Sequence, residues 1–151
     1  MRQLISVVLA AALPMAGWAA DGAAPDPAEI IRPAGDSDLS EFQWVNRPVI
    51  VFADTEADPR YQEQMRNLER GLDALAARDV VVLTDTDPTA RSSIRTQLRP
   101  RGFMLVVVGK DGGVKQRKPL PWTVREITAA IDKMPMRQRE MLEQRGIGTG
   151  G

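Results

Sequence analysis

Two short apolar runs, separated by an amphipathic segment, constrain the fold of this chain more than any other feature. Val49–Ala53 and Val80–Leu83 consist of β-branched and other apolar residues, a composition typical of strands buried on both faces of a sheet. The segment between them carries apolar residues at spacings of three and four, which places them on one helix face: Tyr61, Met65, Leu68, Leu72 and Leu75. Strand, helix and strand in this order predict a right-handed βαβ unit with two parallel strands.

Capping residues indicate where the helices begin. Asp58 and Pro59 are an N-cap and a first-position proline, and they open a predicted helix of about 19 residues that ends near Arg78. A second Asp-Pro pair, Asp87-Pro88, opens a shorter helix that carries Ile94 and Leu98.

The last third of the domain predicts a hairpin and a closing helix. A third strand over 103–108 is followed by the turn Lys110–Gly113 and by an antiparallel edge strand, Val114–Lys118. Thr123 and Glu126 form a capping box for a helix that Pro135 interrupts. The run after Pro135 either packs back onto the domain or offers a docking segment.

The order of these elements, β-α-β-α-β-β-α, predicts an α/β fold of the thioredoxin-like kind. We expect a mixed four-stranded sheet flanked by helices. A doubly wound parallel sheet would need a helix, not a two-glycine turn, between its later strands.

The ends of the chain predict export. Arg2, the apolar stretch Leu4–Ala16 and the small residues before a cleavage site at Ala19 make residues 1–19 a predicted signal peptide. Residues 20–38 are predicted to be a flexible linker, 39–145 the thioredoxin-like domain and 146–151 a disordered tail. The mature protein is expected to be periplasmic or secreted, without a transmembrane anchor.

The composition narrows the chemistry that the domain can perform. None of the 151 residues is cysteine or histidine. This excludes thiol redox catalysis, thiolate nucleophiles and histidine bases, so the chain is expected not to be an enzyme of those classes.

Several motifs give the chain a resemblance to a known family. They are Trp44 with Arg47–Ala53, then Asp58-Pro59-Arg60, the turn segment Gly109–Lys115 and Met134–Arg137. In these segments the chain resembles the bacterial family catalogued as domain of unknown function 4174, over about residues 39–142. The resemblance implies a cysteine-poor relative of thioredoxins and peroxiredoxins, with related domains in secreted animal proteins of the extracellular matrix. It implies no catalytic residues.

Acidic residues follow both predicted parallel strands: Asp54 and Glu56 come after the first strand, and Asp85 and Asp87 come after the second. Because open α/β sheets bind ligands at the carboxyl ends of their strands, these four carboxylates are candidate ligands for Mg²⁺ or Ca²⁺. The same residues also suit turns and helix caps, which is the alternative interpretation. On that alternative the domain has no cofactor.

Charge is divided unevenly along the chain. Residues 20–88 carry 15 acidic and 6 basic residues, whereas residues 89–151 carry 13 basic and 5 acidic residues. Arg91, Arg95 and Arg99 are spaced to form one basic stripe on the short helix, a candidate surface for a protein partner or an anionic envelope component. Nucleic acid is not expected as a partner, since no aromatic residues alternate with the basic ones.

These observations support three hypotheses. The first is a non-enzymatic, non-redox binding or adaptor module of the cell envelope. The second is a divalent-metal-binding domain that uses the acidic strand ends, with a metal-dependent hydrolase as one form of it. The third is a structural envelope protein that self-associates.

Overall fold

Five strands form one mixed sheet within residues 25–146, the part of the chain that the computed structural model describes. The strand order is β1-β3-β2-β4-β5. The bounds are β1 Ile31–Pro33, β2 Arg47–Phe52, β3 Val80–Asp85, β4 Met104–Val108 and β5 Val114–Lys118. The predicted signal peptide with its cleavage site, residues 20–24 of the predicted linker and residues 147–151 of the predicted tail lie outside the described residues.

The predicted βαβ unit is confirmed. β2 and β3 pair in parallel, in a register that runs from Arg47 opposite Val80 to Phe52 opposite Asp85. The two strands therefore end together, at what we call the carboxyl edge of the sheet. The opposite end, where β2 and β3 begin, is the amino edge.

The predicted hairpin is also confirmed. β4 runs antiparallel to β2, and β5 pairs antiparallel with β4 at one side of the sheet. Gly112 adopts a φ of +84° in the connecting turn, a conformation that glycine reaches without steric cost. Because β4 is antiparallel to β2, this turn lies at the amino edge.

The strand count and the linker need correction. The sheet has five strands instead of four, because β1 pairs in parallel with β3 inside the segment predicted as a flexible linker. Ile30 and Ala34, the residues directly before and after β1 in the chain, are buried and hold the strand against the domain. A strand of three residues that includes Pro33 is too short to show periodicity, so the sequence gives no sign of it.

Among residues 25–146, six α-helices flank the sheet: α1 Pro27–Ile30, α2 Pro59–Glu69, α3 Leu72–Ala76, α4 Ser93–Leu98, α5 Val124–Asp132 and α6 Pro135–Gln144. Short 3₁₀ helices span Leu39–Phe42 and Pro88–Ala90. None of the helices within residues 25–146 has the length and apolar character that crossing a bilayer requires.

The predicted 19-residue helix is broken in two at Gly71. A Cβ atom at Gly71 would lie 2.6 Å from both Cγ atoms of Val124, so the residue lets α5 approach closely. Helix spacing continues across this break, and for that reason periodicity alone does not reveal it.

Two apolar layers cover the two faces of the sheet. Val49 and Val51 of β2 pack with Leu68, Leu75 and residues of α5 on one face. The alternate residues of β2 face the other layer, with α4 and the first 3₁₀ helix: Ile50 and Phe52 pack there with Ile94, Leu98 and Phe42. Both edges of the sheet are thereby held in a fixed position.

Candidate functional site

An ion pair occupies the carboxyl edge of the sheet. Asp85 is the last residue of β3, and Arg95 lies in α4. Nε and Nη2 of Arg95 donate to Oδ1 of Asp85 at 3.1 and 2.9 Å, and only 6% of the Asp85 side chain and 11% of the Arg95 side chain are exposed. Nη2 also donates to the carbonyl of Ala53 at 3.0 Å, so the pair ties the ends of β2 and β3 together.

Both carboxylate oxygens of Asp85 accept further hydrogen bonds from the protein. Ser92 Oγ donates to Oδ2, and the backbone N–H of Asp87 donates to Oδ1. Burial raises the pKa of Asp85, but the hydrogen bonds and charge of Arg95, with the bond from Ser92, outweigh burial and hold this pKa below its ordinary value. Asp85 is therefore an ionised carboxylate whose partners belong to the protein itself.

The four predicted metal ligands do not form one ligand set. Glu56, Asp85 and Asp87 line a common groove of about 250 Å³, whereas Asp54 does not line it. Asp87 caps the second 3₁₀ helix by accepting from the N–H and hydroxyl of Thr89, and Glu56 is exposed. Across residues 25–146, no three Asp or Glu side chains are grouped as a metal site requires. Asp85 and Asp87 thus serve a turn and a helix cap.

The predicted basic stripe does not form. Only Arg95 lies within α4, while Arg91 and Arg99 adopt left-handed conformations beyond its two ends, with φ of 46° and 50°. The side chain of Arg95 is directed to Asp85 instead of to solvent. Residues four positions apart share one face only where a single helix includes them all. Because α4 is too short to include Arg91 and Arg99, the three side chains do not form a stripe.

A second cluster of charged groups lies at the amino edge, and sequence reasoning missed it. Arg47 opens β2 with 1% of its side chain exposed. Its Nη1 and Nη2 donate to the two carboxylate oxygens of Glu140 in α6 at 3.2 and 3.0 Å, and Nη1 also donates to the carbonyl of Arg78. Lys110 Nζ, in the β4–β5 turn, lies 2.8 Å from Glu140 Oε1 and 2.8 Å from Asp79 Oδ2.

Further pairs extend this cluster along α5 and α6. Arg78 binds Asp132 through two hydrogen bonds, and Arg137 contacts both Asp132 and Glu140. Hydrogen bonds from Arg78 hold the pKa of Asp132 below its ordinary value. The run after Pro135 thus packs back onto the domain as α6, in agreement with the first of its two predicted roles.

An exposed apolar pair adjoins the amino-edge cluster. Trp44 and Val45 are 63% and 61% exposed. Trp44 adopts a φ of 68°, and its backbone N–H donates to the carbonyl of Lys110 at 2.7 Å. A left-handed conformation is unfavourable for a bulky residue, and such strain is concentrated at functional sites in proteins. Trp44 was singled out in the sequence only as part of a family motif.

Comparison with known proteins identifies relatives of the chain. The sequence profile described as "Domain of unknown function (DUF4174)" matches residues 38–140. Coiled-coil domain-containing protein 80 of Danio rerio is 30% identical over a match 140 positions long, gaps included, and the match covers 73% of this chain. The match spans only 16% of that relative's length.

Two solved structures are similar to this chain. The reduced 2-Cys peroxiredoxin of Plasmodium vivax superposes with a TM-score of 0.53 at 16% identity, covering 70% of this chain and 85% of its own. A chloroplastic thioredoxin z has a TM-score of 0.46 at 20% identity, covering 60% and 81%. The likeness to the peroxiredoxin confirms the predicted thioredoxin-like fold.

Proposed function

We propose that this chain, which belongs to the family described as domain of unknown function 4174, is a non-enzymatic module that binds a partner protein in the cell envelope. The observation that carries the proposal is the Asp85–Arg95 ion pair. It joins the ends of β2 and β3 at the carboxyl edge, where open α/β folds place their ligand and catalytic groups.

The chemistry left at that edge supports binding over catalysis. A general base or a nucleophile needs an unshared lone pair near the substrate. Both oxygens of Asp85 accept hydrogen bonds from the protein, and Asp87 is engaged by Thr89. The sequence also has no cysteine or histidine, the side chains that commonly serve as nucleophile or general base when a carboxylate does not.

The amino edge offers a surface suited to a protein partner. Trp44 and Val45 present exposed apolar area beside Lys110, whose carbonyl fixes the backbone of Trp44. Tryptophan is enriched among the residues that dominate binding energy at protein interfaces, and charged groups at the rim add specificity. A rigid aromatic side chain also loses little conformational entropy on binding.

The location in the cell envelope rests on the predicted signal peptide of residues 1–19. After export and cleavage near Ala19 the domain would meet a partner in the envelope. Secretion assays with and without residues 1–19 test this part of the proposal separately.

Site-specific photo-crosslinking of the full-length protein in its native host tests the binding role. A photoreactive amino acid is placed at Val45, on the amino edge, or at Glu56, on the carboxyl edge. We expect the Val45 position to capture one discrete protein, and this capture to be lost in the Trp44→Ala background. Capture only from Glu56 would overturn the proposal, and crosslinks between copies alone would replace it with self-association.

A further inference from the structure

We propose that a cavity at the amino edge binds a carboxylate that carries a short apolar group. The cavity measures about 130 Å³ and lies between the β4–β5 turn and the start of α6. The inference deepens the proposed function and rests on it, since it names the chemical group that a partner would present.

The first argument is a buried nitrogen without an acceptor. Arg47 lines the cavity, and its Nη1 and Nη2 groups donate to Glu140 and to the carbonyl of Arg78. Its Nε is buried and finds no acceptor among residues 25–146. Leaving a buried donor of a charged group unpaired costs free energy, so an anion that reaches Nε gains a charge-assisted hydrogen bond.

The second argument is the start of α6. Met134 is the N-cap of this ten-residue helix and makes no capping hydrogen bond, whereas Asp58 and Thr123 cap α2 and α5 with their side chains. The first backbone N–H groups of a helix carry partial positive charge and bind anions. Pro135 has no N–H, so the first group that α6 can offer is the N–H of Met136. Met134, Pro135 and Met136 line the cavity, so this helix terminus borders the same space as Arg47.

The third argument is the balance of charge. Three cationic side chains line the cavity, those of Arg47, Lys110 and Lys115, against the single carboxylate of Asp111, which pairs with Lys115. The surrounding network adds Arg78 and Arg137 as cations and Asp79, Asp132 and Glu140 as carboxylates. Cations therefore exceed carboxylates by one, and one bound anion would neutralise the cluster.

Size and lining select the kind of anion. In proteins, an apolar cavity of about 150 Å³ holds a molecule the size of benzene. The amino-edge cavity, at about 130 Å³, therefore suits a ligand of about six non-hydrogen atoms. Phosphate or sulfate would leave the apolar wall of Met134, Pro135 and Met136 unfilled. A carboxylate with a short aliphatic group satisfies both the cations and the wall.

Two sources can supply this group: the C-terminal carboxylate of a partner polypeptide or a free short-chain carboxylic acid. The two are distinguished by titrating the ¹⁵N-labelled full-length protein with N-acetylalanine, whose carboxylate, Cα and methyl group match the size of the cavity, or with butyrate, and recording the amide resonances of Gly109, Lys110 and Met136. N-acetylalaninamide has the same apolar group without the charge and serves as the neutral control. We expect saturable shifts with N-acetylalanine and none with the amide. Stronger binding of butyrate would assign the site to free acids.

Matched variants tie the binding to this cavity. Lys115→Gln removes a lining cation without disturbing the Arg47–Glu140 pair, and we expect about two- to fivefold weaker binding. Lys118→Gln makes the same change on the same strand, outside the cavity lining, and is expected to leave affinity unchanged.

Two results would overturn the inference: no saturable shift with either carboxylate, or equal binding of the neutral amide. Either result would leave the crosslinking from Val45 unaffected, so failure of the carboxylate site is distinguishable from failure of the binding role. Loss of the Val45 crosslink with carboxylate binding intact would reject the partner protein and retain the site.

Discussion

Arg47 and Glu140 lie 93 positions apart in the chain, yet they are joined by two hydrogen bonds at 3.2 and 3.0 Å. The pair connects the first residue of β2 to the middle of α6 and closes the domain at the amino edge. Only 1% of the Arg47 side chain is exposed, so water cannot solvate its charge. The carboxylate of Glu140 compensates for this lost solvation.

The change Glu140→Gln tests this role. We expect the variant to lose about 2–3 kcal/mol of unfolding free energy, because it leaves the charges of Arg47 and Lys110 without their shared carboxylate. Glu143→Gln makes the same change at an exposed position of the same helix and should alter stability by less than about 0.5 kcal/mol. Urea unfolding of the two variants measures the difference, and equal stabilities would contradict the account.

The pH dependence of stability follows from the same residue. Burial alone would raise the pKa of Glu140, but hydrogen bonds and charges from Arg47 and Lys110 lower it from 4.5 to about 2. A carboxyl whose folded-state pKa is lowered stabilises the fold above its unfolded pKa, and this stability is lost as the pH falls through the folded pKa. We expect a loss of up to about 3 kcal/mol from this group between pH 4.5 and 2.

Thermal unfolding across that pH range checks the expectation. The Glu140→Gln variant should show a shallower decline than the natural sequence, although not a flat one, because Asp85 and Asp132 also have lowered pKa values. Identical pH profiles would show that Glu140 is not coupled to its neighbours as described.

The change Arg95→Leu tests whether the carboxyl edge is structural. We expect a loss of about 3–5 kcal/mol, because Asp85 would remain buried without its charge partner. Arg101→Ala removes an exposed arginine nearby in sequence and should cost less than about 0.5 kcal/mol. Calorimetry that found Arg95→Leu as harmless as Arg101→Ala would contradict the structural role.

The change Gly71→Ala is expected to destabilise the domain by about 1–3 kcal/mol, although alanine favours helices more than glycine does. The added methyl would lie 2.6 Å from Val124. In a Val124→Gly background the loss should shrink, since the Cβ atom of Val124, which would lie 2.7 Å from the added methyl, is removed together with both Cγ atoms. Denaturant unfolding of the two single variants and the double variant gives the coupling, and additive effects would contradict the proposed contact.

Divalent cations provide a further test of the acidic loops. We expect millimolar Mg²⁺ or Ca²⁺ to leave the Tm of the full chain unchanged, because Asp85 already has Arg95 as its partner and Asp87 is engaged by Thr89. A rise in Tm that is lost in Glu56→Gln would show that the groove at the carboxyl edge holds a cation after all.

The elements that were predicted correctly from the sequence are those that depend on residues close together in the chain. The apolar runs of β2, β3 and β4 have the character of buried strands, and the glycines of the β4–β5 turn indicate the hairpin directly. Thr123 and Glu126 form the expected capping box because both partners lie within one turn.

The elements that sequence did not predict depend on contacts between distant residues. Gly71 breaks a helix because of Val124, and β1 forms because it finds an edge on β3. The contacts of the charged residues also join distant parts of the chain. An acidic residue at a strand end suggests a ligand site until Arg95 is found beside it, and nothing near Arg47 in the sequence indicates Glu140.

The central claim is that the domain works through its amino edge while its carboxyl edge is structural. Quantitative capture of the Val45-crosslinked partner tests it most directly, with Trp44→Ala compared against the double variant Asp54→Asn/Glu56→Gln. Our account predicts that Trp44→Ala abolishes capture and that the double variant captures as well as the natural sequence does. Loss of capture in the double variant, with Trp44→Ala unaffected, would contradict the account and return the function to the acidic strand ends.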